Sequence, residues 1–170
     1  MNDDTGAPEA LPSGSFMGRE AWRERLRVGL RAAATQHWPE LLLSDADFRD
    51  WPLGEREIIE ALHAWARGGG ARRLTMLAGS YDEVPRQHAR FVEWRRQWSH
   101  KIDCRICREA DPQQLPSAIW SPSWMLQRLD NLHHNGLCGD DPVRRRLLRE
   151  QIDGWLGRSS AGFPAYTLGL

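Results

Sequence analysis

Residues Arg72–Arg108 read RRLTMLAGSYDEVPRQHARFVEWRRQWSHKIDCRICR, and this stretch decides the fold class. Leu74 to Ala78 is a short apolar run of strand length. Gly79-Ser-Tyr-Asp82 is turn chemistry, and Glu83 to Trp98 carries an apolar stripe of Val84, His88, Phe91, Val92 and Trp98 at helical spacing. Ile102 to Arg108 alternates as a second strand would. Two strand-like runs separated by one amphipathic helix make a βαβ unit, which implies parallel strands with the helix packed across them. Asp82 is placed to cap the helix, with Pro85 tolerated in its first turn.

Working back from this unit, the same alternation continues. Gly68-Gly-Gly70 stops a helix predicted over Glu55–Arg67, whose stripe is Ile58, Ile59, Leu62, Trp65 and Ala66. The three glycines follow a helix rather than opening one, so their backbone donors point the wrong way for a phosphate cradle. Leu41-Leu-Leu43 is too short to stand as a helix and reads as a buried strand before Ser44-Asp45. Before it, Trp22, Leu26, Leu30, Ala33 and Ala34 define a helix from Arg19 to Gln36, ended by Pro39. Residues 1–17 hold two prolines, two glycines and no apolar period, and are expected to be a disordered tail. Residues 18–170 then form a single domain.

Beyond the unit, Asp111 to Pro116 is a loop. Ser117 to Leu132 admits two readings: a helix opened at Ser121-Pro122, or strands Ala118–Trp120 and Trp124–Arg128 joined by Ser-Pro-Ser. The last helix is capped by Asp140 or Asp141, has Pro142 just inside, and carries Val143, Leu147, Leu148, Ile152, Trp155 and Leu156 on a stripe expected to close one side of the sheet. Ala165 to Leu168 suggests a final edge strand. There is no internal repeat. The order predicts a layered α/β domain, a mixed and mostly parallel sheet with helices on its faces.

The 170 residues carry 23 basic and 23 acidic side chains, so no overall field recruits an anionic membrane or nucleic acid, and zero net charge argues against both as partners. Lys101 is the only lysine. No apolar run is long enough to cross a membrane, and the polar start Asn2-Asp-Asp-Thr5 is no secretory signal. Three cysteines without a signal are expected as reduced thiols in a cytoplasm.

Three constellations could carry chemistry. Cys104-Arg-Ile-Cys107 has metal-ligand or redox spacing, yet residues three apart on a strand point to opposite faces, so the expectation is two structural thiols, no metal and no cofactor. His133, Asn135 and Asp140 are spaced H-x-N-x-x-x-x-D, a phosphodiesterase-like signature with asparagine where a lysine would hold phosphate oxygens. Asparagine has no charge to neutralise a phosphoryl transition state, and a polar turn before a helix explains the same residues. Arg144, Arg145, Arg146 and Arg149, and earlier Arg86, Arg90 and Arg96, line helix faces interleaved with Glu150 and Glu93, as solvated faces do. The G-x-S-x-G, H-E-x-x-H, P-loop and G-x-G-x-x-G patterns are absent.

The order of elements from Arg19 to Leu170 resembles a catalytically silent phospholipase D-like domain of uncharacterised bacterial proteins. The resemblance rests on the strand ending in Ser44-Asp45, the Leu74-Thr-Met-Leu77 strand and the Ser99-His-Lys-Ile102 entry to the next. It rests also on Leu115–Trp120 with Trp124–Arg128 pairing back, on Gly154–Ser159 and on Leu168-Gly-Leu170. It favours strands over a helix at residues 118–128. The resemblance implies that catalytic histidine, lysine and aspartate would lie on Pro116–Ser123, where none of them occurs; His133 lies after that hairpin. The expectation is therefore a non-catalytic domain acting through contact with an unknown protein partner or a second copy, anchored by exposed tryptophans such as Trp51 and Trp94. The alternative is a divergent phosphodiesterase, or a binder of phosphate ligands or nucleic acid, using the His133–Asp140 segment and the arginines.

Overall fold

The computed structural model describes residues 10–165. Eight strands form one sheet: β1 (Gly14–Phe16), β2 (Glu40–Asp45), β3 (Arg73–Ala78), β4 (Ile102–Ile106), β5 (Ser117–Trp120), β6 (Met125–Asp130), β7 (Asn135–Gly139) and β8 (Ser160–Ala161). Their order is β1-β7-β6-β5-β2-β3-β4-β8. The helices are α1 (Arg19–Thr35), α2 (Arg56–Arg67), α3 (Glu83–Gln87), α4 (Ala89–Gln97) and α5 (Pro142–Leu156). The α/β class with helices on a mixed single sheet is as expected. The sheet is not mostly parallel: only β2–β3 and β3–β4 pair in parallel, and the other five pairings are antiparallel. The reason is connectivity. Parallel neighbours need a crossover helix, as precedes β3 and β4, whereas β5–β6 and β6–β7 are joined by short turns that only antiparallel strands allow.

Side-chain alternation sorts the core into two layers. Leu41, Leu43, Leu74, Met76, Ile102, Cys104, Ile119 and Leu126 face one side and are covered by α1 to α4. Leu42, Leu77, Ala118 and Met125 face the other, where α5 brings Leu148 and Ile152. Helix α1 approaches the first face closely at Gly29, where a Cβ would stand 2.6 Å from the Trp124 ring.

Residues 118–128 are the hairpin β5–β6, with Ser121 Oγ accepting from the Ser123 and Trp124 amides at its turn. Several expectations are corrected. The expected tail (residues 1–17) contributes β1, whose Phe16 is buried and which pairs with β7; a three-residue edge strand is too short to show a period. Residues 1–9 lie outside the described residues. The expected turn at His133–Asp140 contains β7, which β1 and β6 flank on both sides. The single helix expected over Glu83–Trp98 breaks at His88 (φ −128°, ψ 53°), because the His88 Nε2–H donates to the Phe48 carbonyl at 2.8 Å instead of following the helix face. Asp82 has helical angles and no side-chain capping bond; Asp141 does cap α5, accepting from the Val143 amide at 2.9 Å. Of the glycines after α2, Gly70 is the left-handed one. On α5, Val143 and Leu147 are exposed, so the stripe is narrower than its apolar residues suggested. The last strand is Ser160–Ala161 on β4, and Leu168 lies outside the described residues.

Candidate functional site

The carboxyl ends of β2, β3 and β4 and the amino end of antiparallel β5 share one edge of the sheet. Crevices outside the carboxyl ends of parallel strands are where α/β folds usually bind ligands. Two polar constellations occupy that edge.

The first is buried. Asp45 ends β2, Ser117 starts β5, and Arg128 stands opposite Ser117 on β6. Ser117 Oγ donates to Asp45 Oδ1 at 2.5 Å, and Arg128 Nη2 donates to the same oxygen at 3.2 Å. Arg128 Nε donates to Ser117 Oγ, and its Nη1 reaches Asp50 Oδ2 at 3.2 Å and His134 Nδ1 at 2.9 Å. The guanidinium lies over the Trp22 ring of α1 at 4.9 Å. Asp45 Oδ2 accepts the Asp47 and Phe48 amides, which holds Phe48 at the left-handed φ of 61° that a bulky residue otherwise avoids. Since Arg128 can only donate, His134 Nδ1 is the acceptor and the ring is neutral. Burial, then the charge of Arg128, keeps His134 below the ordinary histidine range. With the donors and acceptors of Asp45, Ser117 and Arg128 paired with one another, this network joins the two halves of the sheet.

The second constellation is open. A cleft of about 780 Å³ follows β3 and β4, lined by Tyr81, Arg86, Arg95, Arg96, Arg108 and Phe163. Arg95, on α4, is only 7% exposed. Its Nη2 makes a long contact of 3.5 Å to the Phe163 carbonyl, and its Nε and Nη1 have no partner among the described residues. The neighbouring Cys104 lies close enough to take a weak hydrogen bond from Arg95 but supplies no counter-charge, since burial pushes its thiol up to about 11 against that contact and the charge of Arg95. Tyr81 donates its hydroxyl to the Arg105 carbonyl and stacks on Phe163 at 5.2 Å, walling the cleft with aromatic rings. Burial raises the Tyr81 hydroxyl above its ordinary value, so it stays protonated. Asp82 is an acidic group of the lining, exposed at the mouth.

A larger groove, about 850 Å³, runs between α2 and α4. Glu60 and Glu93 offset Arg67 and Arg90 there. A third arginine, Arg96, also lines this groove, but all its arginines are exposed or half-exposed, whereas the smaller cleft holds the buried Arg95, so the arginine cleft is the stronger site.

The sequence-derived candidates do not assemble. His133 is exposed and paired with Asp130 at 2.8 Å; Asn135 opens β7; Asp140 follows its far end. A five-residue strand separates Asn135 from Asp140 by roughly 16 Å, so no phosphate could touch all three. Cys104 sits in the core layer under α1–α4 and Cys107 in the layer under α5, which sets their sulfurs on opposite faces. On α5, Arg149 pairs with Glu40 and Asp153 and Arg145 donates to the Asp140 and Pro122 carbonyls, while Arg144 and Arg146 reach Asp141 and Glu150 only by long, exposed pairs and lie apart from any buried, unanswered charge. Arg95, Arg128 and Asp45 were not singled out as site residues by sequence reasoning. The signal available for Arg95 was its place four residues after Phe91 and seven after His88, on the apolar stripe of the expected helix.

No family model matches the sequence, and no curated protein matches it. Among solved structures, the fold matches TrmBL2, an archaeal chromatin protein whose structure shows a novel mode of DNA binding. The TM-score is 0.64 at 15% identity, over 94% of this chain and 57% of that one. This chain thus spans a little over half of TrmBL2, and the likeness is one of fold. Two expectations are corrected, one by this likeness and one by burial. Zero net charge does not argue against nucleic acid here, since a DNA-binding chromatin protein contains the same fold. The expected protein-contact domain also loses its anchors, because Trp51 and Trp94 are 1% and 3% exposed, packed in the core rather than presented to a partner. No helix among the described residues is long and apolar enough to cross a membrane.

Proposed function

We propose that this chain is a phospholipase D-like domain that binds nucleic acid through phosphate, at the arginine cleft beyond β3 and β4. The observation that carries the reading is Arg95. Burying a guanidinium costs several kcal/mol unless a counter-charge answers it, and an anion entering the cleft would answer it through its field, since Nε and Nη1 themselves are sealed from solvent. Arg108 at the rim adds an exposed charge, and Arg86 and Arg96 are tied to Glu83 and Glu93 only by exposed pairs that a phosphate can displace. The fold shared with DNA-binding TrmBL2 supports the same class of ligand. Binding without hydrolysis suits a strand β5 that carries no histidine, lysine or aspartate.

The test is a fluorescence-anisotropy titration of labelled oligonucleotides over a range of salt. Log K should fall linearly with log salt, by about 0.7 to 0.9 per phosphate neutralised. Arg108→Ala should lower that slope by roughly one. Binding that is absent at low salt, or indifferent to salt, would remove the reading.

A further inference from the structure

We infer that the arginine cleft takes its nucleic acid as a single strand, with an unpaired base stacked on Phe163. This rests on the nucleic-acid reading above and narrows it. The rings of Phe48, Tyr81 and Phe163 form one column. Phe48 and Tyr81 lie 6.3 Å apart at 22°, and Tyr81 and Phe163 lie 5.2 Å apart at 17°. Phe48 and Tyr81 are buried, whereas Phe163 is half-buried and lines the cleft. Tyr81 covers one face of the Phe163 ring, so what the ring shows to the cleft is the side turned away from Tyr81. The column thus ends in an aromatic surface at the cleft wall. A nucleobase stacked there would extend the column by one ring, a contact open to any base because every base has a π-face. Within a duplex those faces are covered by the neighbouring base pairs.

The backbone holds the ring in place. Phe163 has a φ of 44°, a left-handed angle that a bulky residue otherwise avoids. Before it, the Gly162 amide donates to the Cys104 carbonyl at 3.0 Å, and a Cβ on Gly162 would stand 2.7 Å from Ile106. The Gly162–Phe163 return therefore lies hard against β4, and the ring is set before a ligand arrives. Charge decides what accompanies the base. Four arginines and one aspartate line the cleft, and Arg86, Arg96 and Arg108 are exposed. Basic groups that track a backbone, beside a ring that takes a base, are the two parts of a single-strand site. The cleft volume, about 780 Å³, accommodates a nucleotide.

The experiment measures the affinity of the intact chain for three ligands of equal length: a single strand, the same strand annealed to its complement, and a strand of the same backbone with abasic sites throughout. At about 0.15 M salt, where backbone attraction is screened, the single strand should bind roughly tenfold more tightly than either of the others, as one stacked base provides. Phe163→Leu, which keeps an apolar side chain against Tyr81, should erase that advantage and bring the single strand down to the affinity of the abasic one. Phe163→Trp should keep the advantage. Arg108→Gln, on an exposed side chain, should weaken all three ligands alike. A duplex or abasic strand that binds the unmodified chain as tightly as the single strand does would overturn the inference and leave nucleic-acid binding standing. So would an advantage that survives Phe163→Leu, or a loss that Phe163→Leu inflicts equally on all three ligands, as a merely structural ring would. Failure of every ligand to bind would remove both this inference and the function on which it rests.

Discussion

Replacing Arg128 by methionine should destabilise the domain more than any surface substitution, and the structure sets the size of the loss. Arg128 is 6% exposed and Asp45 2%, so the substitution leaves a carboxylate in the core without its counter-charge. Breaking a buried pair by removing one partner costs about 3–5 kcal/mol. Asp45 would keep three donors, from Ser117 Oγ and from the Asp47 and Phe48 amides, which places the expectation at the low end, about 3 kcal/mol. A domain of this size has roughly 5–15 kcal/mol in all, so the variant should remain folded with a much lower midpoint. Asp45→Asn removes the charge from the other side, yet leaves Arg128 its contacts to Asp50 and His134. The double variant should therefore cost less than the sum of the two singles, by about 1–3 kcal/mol of coupling. Urea melts followed by tryptophan fluorescence read all three, with an unchanged slope showing that only stability has moved. Strict additivity, or a loss below about 1 kcal/mol for Arg128→Met, would show that the network does not join the two halves of the sheet.

Two further outcomes follow from particular side chains. Leu148→Ala should cost about 2–5 kcal/mol and Leu147→Ala less than about 0.5 kcal/mol, since their exposures are 2% and 54% although they are adjacent on α5; equal effects in denaturant melts would mean that α5 does not pack as described. Stability should also fall on mild acidification. His88, through burial, and His134, through burial and then Arg128, hold their protons less tightly folded than unfolded. Their contribution is therefore complete above the ordinary histidine value of about 6.5 and is lost as pH drops through the lower folded values. A urea midpoint that stays level or rises between about pH 7.5 and 5.5 would contradict this.

The two-strand unit at Arg72–Arg108, the helices at Arg19 and Arg56 and the strand at Leu41 were legible because each is a local pattern. A period of two or 3.6 in apolar residues records which side will be covered, whatever covers it. The hairpin at Ser117–Asp130 needed more than its own letters, because Met125, Leu129 and Leu132 also satisfy a helical period. Strands β1 and β7 were illegible: their pairing joins Gly14 to Cys138, and a three-residue edge has no period to show.

The sites lie wholly in the second category. Asp45 meets Ser117 across 72 residues of sequence and Arg128 across 83, and only the β2–β5–β6 register brings them within hydrogen-bonding distance. Arg95 and Arg96 are neighbours in an arginine-rich helix and identical as letters. The packing of α4 against β4 and of the Gly162–Phe163 return buries one guanidinium and leaves the other in water. Charge type is a property of the sequence. Whether a charge has an answering partner depends on what the rest of the chain brings to it, and that is decided only when the layers close.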